Sequence, residues 1–207
     1  MQTIDLTPGI RKGLAYFDIK ATDIQIELLN KYLNLLNKWN KAYNLTAIRN
    51  IHDMLDRHLI DSFSIAPLIQ GQRLIDVGTG PGLPGIPLAI LYPERSFHLL
   101  DSNGKKTRFL QQAKLELGLD NVTVINKRVE SVAIDPAFDG VLSRAFTTIE
   151  DMLDKCHQLC TENGHFYAMK GVWPEIELKN VTQPYKVHSL NWPGNDSERH
   201  LAVIKKS

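Results

Sequence analysis

Asp76-Val77-Gly78-Thr79-Gly80-Pro81-Gly82-Leu83-Pro84-Gly85 decides how this chain folds. The apolar run Leu74-Ile75-Asp76-Val77 leads into it, and Ile86-Pro87-Leu88-Ala89-Ile90-Leu91 leads out. A short apolar run, a glycine cluster and a longer apolar stretch predict strand, tight turn and helix. Glycines there let the backbone turn sharply and let a ligand approach the main chain. Pro84 suits the first helical turn, where no amide donor is lost.

Toward the C-terminus the same alternation continues. Strands are predicted at Phe97 to Asp101, Val122 to Ile125, Phe138 to Ser143 and Gly164 to Met169, with helices at Lys105 to Leu117 and Ile149 to Leu159. Such alternation predicts an α/β fold, a mostly parallel sheet with helices on both faces. The tail differs. Lys186 to Asn191 and His200 to Lys205 flank Trp192-Pro193-Gly194-Asn195-Asp196, which predicts an antiparallel hairpin and a total of seven strands.

Toward the N-terminus the periodicity is helical. Thr22 and Gln25 have capping-box spacing. After them Leu28, Leu29, Tyr32, Leu33, Leu35, Leu36 and Trp39 recur at helical spacing, with an end near Asn40. A second helix is predicted from Asn50 to Ile65, with Met54, Leu55, Leu59 and Phe63 inward and His52, Arg57 and His58 on the other face. Residues 1–70 therefore read as a helical extension and 71–207 as the ligand-binding domain, together one compact unit.

Composition sets the outer limits. The 207 residues hold 24 Lys and Arg against 23 Asp and Glu, a formal charge of +1, with 43% hydrophobic residues. Disorder needs low hydrophobicity and high net charge, so it is excluded for the whole chain. A uniformly basic nucleic-acid coat is excluded too. Cys156 and Cys160 are too few for a disulfide scaffold, and their spacing predicts two buried thiols one turn apart on a helix, with no metal site. No window holds the ~20 apolar residues of a membrane span, and no signal-peptide core precedes Lys20. The expected address is the cytoplasm, and the expected state a monomer.

Two cofactor classes compete for the glycine turn. Gly80-x-Gly82-x-x-Gly85, with Asp101 at the end of the next strand, fits the dinucleotide fingerprint. Asp76-x-Gly78-x-Gly80-x-Gly82 fits S-adenosylmethionine (SAM). Charge favours the second: a pyrophosphate avoids a nearby carboxylate, whereas the methionyl end of SAM carries an ammonium and a sulfonium. Asp101 is placed to accept both ribose hydroxyls, or else to cap the next helix, a role that Ser102 or Asn103 serves equally. Val129-Glu130 follows the third strand, where an adenine edge would lie, although Glu130 also reads as a solvated loop charge. Arg144 ends the fourth strand, able to hold a carboxylate or phosphate or to pair with an acid such as Glu150.

Asn44-Leu45-Thr46-Ala47-Ile48, His58-Leu59-Ile60-Asp61-Ser62, Asp76 to Ile90, Ser143-Arg144-Ala145-Phe146 and Met169-Lys170-Gly171 appear in this order. Together they resemble the ribosomal RNA small subunit methyltransferase G family, also called glucose-inhibited division protein B. The resemblance covers essentially the whole chain. It implies a class I SAM-dependent, Rossmann-like methyltransferase fold with an N-terminal helical extension. It implies methyl transfer from SAM to N7 of one 16S rRNA guanosine in the small ribosomal subunit. It carries cofactor contacts onto Gly78, Leu83, Val129, Glu130 and Arg144, with Asp101 facing the ribose; Asp76 and Gly80 belong to the same motif. No catalytic base is expected, because guanine N7 has a free lone pair at neutral pH. Groups near guanine O6 are expected to help as charge moves to the purine. Substrate contacts are expected from Arg57, His58 and Lys170 within local basic groups. Competing readings are a SAM enzyme on a non-RNA substrate, a nicotinamide oxidoreductase, and a SAM-binding ribosome-assembly factor.

Overall fold

The computed structural model describes residues 3–144 and 147–206, so Ala145-Phe146 of the fourth quoted block lies outside the described residues. Seven strands form one sheet: β1 (Arg73–Val77), β2 (Ser96–Leu100), β3 (Val122–Ile125), β4 (Phe138–Arg144), β5 (Cys160–Lys170), β6 (Tyr185–Ser189) and β7 (His200–Lys205). Their order is β3-β2-β1-β4-β5-β7-β6. The first five run parallel. β7 lies antiparallel between β5 and β6. The chain winds outward from β1 to β3 and then returns to place β4 beside β1. Direction therefore reverses at the carboxyl ends of β1 and β4, the edge where open α/β sheets bind ligands.

Each sheet face carries an apolar layer. One packs the N-terminal helices and the helices Gly85–Leu91 and Gly104–Leu117 around Leu29, Tyr32, Phe63, Phe97 and Phe109. The other packs helix Ile149–Cys156 against Ile75, Val141 and Phe166.

The helical extension begins earlier than the periodicity indicates. α1 (Thr7–Tyr16) buries only Ile10, Gly13 and Leu14, and its two glycines weaken the helical signal. α2 (Asp23–Tyr43) opens with the expected box: Gln25 N–H donates to Thr22 Oγ1 at 3.2 Å, and Thr22 N–H to Gln25 Oε1 at 2.8 Å. It runs to Tyr43, past the expected end near Asn40, and closes on Asn44 in the left-handed region at φ 53°. Two side chains of this helix hold the ligand-binding part. The buried Tyr32 hydroxyl donates to the Pro81 carbonyl inside the glycine turn at 2.9 Å. Gln25 Nε2 donates to the carbonyls of Ile90 and Leu91, capping the helix that follows the turn. The extension thus positions both ends of the motif.

Residues 51–63 are helical as expected, but Leu55–Ile60 is a π-helical turn. Its wider turn shifts the faces that a 3.6-residue period assigns, so His58, expected on the outer face, is buried. His52 and Arg57 remain exposed. The cysteines need a second correction. Cys156 ends a helix and Cys160 opens β5, so they do not share a helical face. Both are free and buried, and burial pushes their thiols up to about 12 and about 11.

Candidate functional site

The glycine turn is held by its own carbonyls, by the strand that leads into it and by the end of β2. The amides of Gly78 and Thr79 donate to the Leu100 carbonyl at 2.9 and 3.1 Å, and those of Gly82 and Leu83 to the Thr79 carbonyl, both at 3.0 Å. Gly80 N–H donates to Asp101 Oδ2 at 3.0 Å and Gly85 N–H to Asp76 Oδ2 at 2.9 Å. Few of the turn's amides are left over for a phosphate. Gly80 sits at φ +63° and a Cβ there would meet nothing within 4 Å, so backbone conformation demands this glycine. Gly85 is different: a Cβ would lie 2.3 Å from Leu99 Cδ2 and 2.9 Å from Asp76 Oδ2.

Asp76 is fully buried beneath this turn. Its Oδ2 also accepts from Thr79 Oγ1 at 2.6 Å, while Oδ1 has no partner among the described residues. Burial pushes its carboxyl up to about 6, against the two hydrogen bonds and the Arg144 charge that pull it down. An unpaired buried acceptor is costly, and Asp76 lies behind the turn, outside the lining of either cleft that opens at this edge.

A cleft of about 470 Å³ opens beside the turn, at the carboxyl ends of β1 and β2. Val77, Gly78, Leu100, Asp101, Val129 and Glu130 line it, with Lys106 at 3.6 Å from Asp101 Oδ2. Asp101 Oδ1 accepts from Asn103 N–H at 2.8 Å. The helix cap is Asn103, whose side chain accepts from Lys105 and Lys106. Val129–Ser131 is a short 3-10 turn, and the first amides of such a turn have no acceptor within it.

A second cleft, of about 320 Å³, lies at the ends of β4 and β5 and the start of β7. Its wall includes Arg57, His58, Asp61, Arg144, Lys170 and Arg199. Asp61 is its keystone. This buried carboxylate accepts from Arg144 Nη1 on Oδ2 at 3.0 Å and from Arg199 Nε on Oδ1 at 3.2 Å. Arg144 Nη1 also donates to the Arg57 carbonyl at 3.2 Å. His58 Nδ1 lies 3.1 Å from that same carbonyl, so it carries the proton, and Nε2 accepts from Thr46 Oγ1 at 2.9 Å. Burial, with Arg144 nearby, holds His58 down at about 3, so it is neutral. Lys170 Nζ donates to the Thr147 carbonyl at 2.8 Å and to Glu177 Oε2 at 2.6 Å.

The switch-point edge thus carries a glycine turn over a buried acid, with a cleft on either side. The family model of rRNA small subunit methyltransferase G matches residues 25–201. The chain belongs to this family.

Relatives named ribosomal RNA small subunit methyltransferase G include those of Escherichia fergusonii, 53% identical over 190 residues, and Klebsiella pneumoniae (strain 342), 54% identical over the same length. Each match covers 90% of this chain and 92% of the relative. Among solved structures, a precorrin-6y C5,15-methyltransferase from Geobacter metallireducens superposes with a TM-score of 0.55 at 15% identity, over 80% of this chain and 92% of that one. At that identity the likeness is one of fold.

The structure gathers the expected residues into two groups. Gly78, Asp101, Val129 and Glu130 meet at the first cleft; Gly80 and the buried Leu83 belong to the turn beside it and Asp76 lies beneath that turn, none of the three lining the cleft. Arg57, His58, Arg144 and Lys170 meet at the second. The acid beside Arg144 is Asp61, in the place where the sequence admits Glu150. Sequence reasoning missed Asp61 and its tie to Arg199, which lie 138 residues apart. Only the presence of Asp61 in a quoted block hinted at it.

Proposed function

We propose that this chain transfers a methyl group from SAM to N7 of one guanosine in 16S rRNA of the small ribosomal subunit. One observation carries the cofactor reading: Asp76 keeps a free buried oxygen under a glycine turn whose amides are mostly engaged. A dinucleotide pyrophosphate needs free amides and no carboxylate. A ligand with a cationic amino-acid end needs the opposite, and this chain supplies it.

The residues present fit SAM. Asp76 would hold the ammonium and Arg144 the carboxylate of the methionyl end. Asp101 keeps acceptor capacity for the ribose hydroxyls, because each oxygen has a second lone pair. The Val129 and Glu130 amides would meet the adenine edge, with Gly78, Gly80 and Leu83 shaping the floor. When bound, SAM supplies a sulfonium-activated methyl group.

Guanine N7 carries its own lone pair, so no side chain has to remove a proton. What remains for the chain is alignment. The second cleft, which Arg144 lines, takes the guanosine. Arg57, exposed at its rim, and Lys170, anchored by Glu177, supply positive charge toward phosphate. His58 is neutral and buried, so it contributes shape and holds Arg57 in place. The guanosine has to be turned out of its loop to reach the cleft.

The extension shares its core with the sheet, which supports one compact unit. Among the described residues, no helix is long and apolar enough to cross a membrane. An rRNA substrate places the enzyme in the cytoplasm.

The test is incubation with methyl-labelled SAM and small subunits lacking the modification, followed by mapping of the label. Label at N7 of a single 16S guanosine is expected. SAM binding without label in any form of rRNA would overturn the rRNA reading and favour an assembly factor.

A further inference from the structure

Exposed apolar surface is concentrated just past the end of β5. Val172, Trp173, Ile176 and Tyr185 are 68%, 49%, 89% and 49% exposed. Trp173, Ile176 and Tyr185 border a groove of about 560 Å³ that also includes Leu178 and Val181. Trp173 stands where this groove meets the second cleft. Its ring lies edge-on to His200, with centroids 5.2 Å apart and planes at 85°, and His200 lines that cleft. Arg199 is at the same corner: a Cβ on Gly171 would lie 4.0 Å from Arg199 Nη1. Arg199 commits Nε to Asp61 and Nη1 to the Glu198 carbonyl, leaving Nη2 with no partner among the described residues.

A half-exposed indole beside a guanidinium with a free donor suits an unstacked nucleotide. The base takes the aromatic face and the phosphate takes the guanidinium. The need for such a ledge follows from the chemistry of the neighbouring cleft. Turning a guanosine out of its loop strips the adjacent base of a stacking partner, and an aromatic side chain replaces it. Continuity with the cationic cleft favours RNA here over a protein partner, for which the bordering Glu175 and Lys179 offer no single charge.

We propose that Trp173 is a stacking ledge for the rRNA base adjoining the methylated guanosine, with Arg199 beside it receiving that nucleotide's phosphate. This rests on the rRNA reading above. It adds to that reading a second nucleotide subsite and a positioning residue.

The test compares Trp173→Ala, Trp173→Phe and Trp173→Leu in the full chain, with unmodified small subunits as substrate. Removing one stacked base contact predicts a KM for subunits raised about 5- to 150-fold in Trp173→Ala, with SAM affinity unchanged. Trp173→Phe should recover to within about threefold, and Trp173→Leu should not, since it keeps apolar area but has no π face. Equal activity of the Phe and Leu variants would overturn the proposal, as would an unchanged KM in Trp173→Ala or a parallel loss of SAM affinity. Where Trp173→Ala fails to fold, the Phe-against-Leu comparison decides. A second readout is independent of turnover: with Trp39→Phe and Trp192→Phe in place, Trp173 is the sole fluorophore of its kind. Quenching by unmodified 16S rRNA supports the ledge even if no methyl is transferred, and no quenching at RNA concentrations that saturate binding removes it.

Discussion

The two clefts are built on opposite plans. The first draws on residues 77–130 with Lys155 added, a run in which each group follows a strand end closely. The second draws on residues 48–200 and takes its wall from the helical extension, β4, β5 and the start of β7. In the first, backbone amides do the holding: Asp101 is fixed by the amides of Gly80 and Asn103. In the second, side chains hold one another: Asp61 fixes two arginines, and Glu177 fixes Lys170. The lesson is that the first cleft is encoded by spacing, whereas the second is encoded by the fold.

The sharpest way to break this contrast is at Asp76. Asp76→Asn keeps an acceptor for Thr79 and Gly85 and removes the charge. SAM affinity should fall at least about 30-fold, the scale for losing one partner of a buried charge pair, as measured by calorimetry. Stability should move the other way. The folded-state value is raised to about 6 from 3.8, so the folded state binds a proton that the unfolded state releases between these values. Burying the ionised form therefore costs stability above pH ~6, and acidification from about 6 toward 4 relieves that cost. Asp76→Asn should melt no lower than the parent at pH 7.5. Unchanged SAM affinity would remove Asp76 from the site.

Asp61 tests the second plan. Asp61→Asn leaves both arginines without their anion, and kcat/KM for small subunits should fall roughly 10- to 100-fold. Double-mutant cycles with Arg144→Met and Arg199→Met should each show coupling of about 1–3 kcal/mol, as for residues in one network. Additive losses would mean that Asp61 does not position the arginines. SAM affinity should respond to the Arg144 half alone, which separates the roles of the two arginines in one series.

Much of the fold was legible because its signals are local. The Thr22–Gln25 box, the strand-glycine-helix motif and the alternation through Leu142 each depend on a few adjacent residues, and the structure reproduces them. Three features escaped for physical reasons. α1 has two glycines and a narrow apolar stripe, so its helicity comes from packing on its neighbours. His58 lies in a π-helical turn, where the helical period fails. Cys160 lies past the end of its helix, at the head of a strand that begins four residues before Gly164, where the apolar pattern starts. At the site, the turn and Asp101 were readable from the motif. Asp61 with Arg199 was not, because no spacing rule joins residues so far apart.

A pH series sharpens the cofactor side further. A proton on Asp76 competes with a cationic ligand for the same oxygen. SAM affinity should be full above pH ~6 and should weaken as pH falls through it, approaching tenfold per unit. His58, held near 3, stays neutral throughout this range and adds no slope. A flat profile from pH 7.5 to 5 in calorimetry would mean that Asp76 does not meet the charged end of the ligand.

The smallest effect is expected at Lys106, and its smallness is informative. Lys106 Nζ stands 3.6 Å from Asp101 Oδ2 and is a third exposed, so solvent screens the pair. Such pairs contribute at most about 1 kcal/mol, and here two amides already orient the carboxylate. Lys106→Met should therefore change SAM affinity by less than about fivefold and leave the KM for subunits untouched. The matched change in the other cleft, Arg199→Met, removes a group that Asp61 holds by its side chain, and the KM for subunits should rise well beyond that margin. A loss above about twentyfold in Lys106→Met would show that side-chain charge orients Asp101, and that the backbone-held plan of the first cleft does not hold.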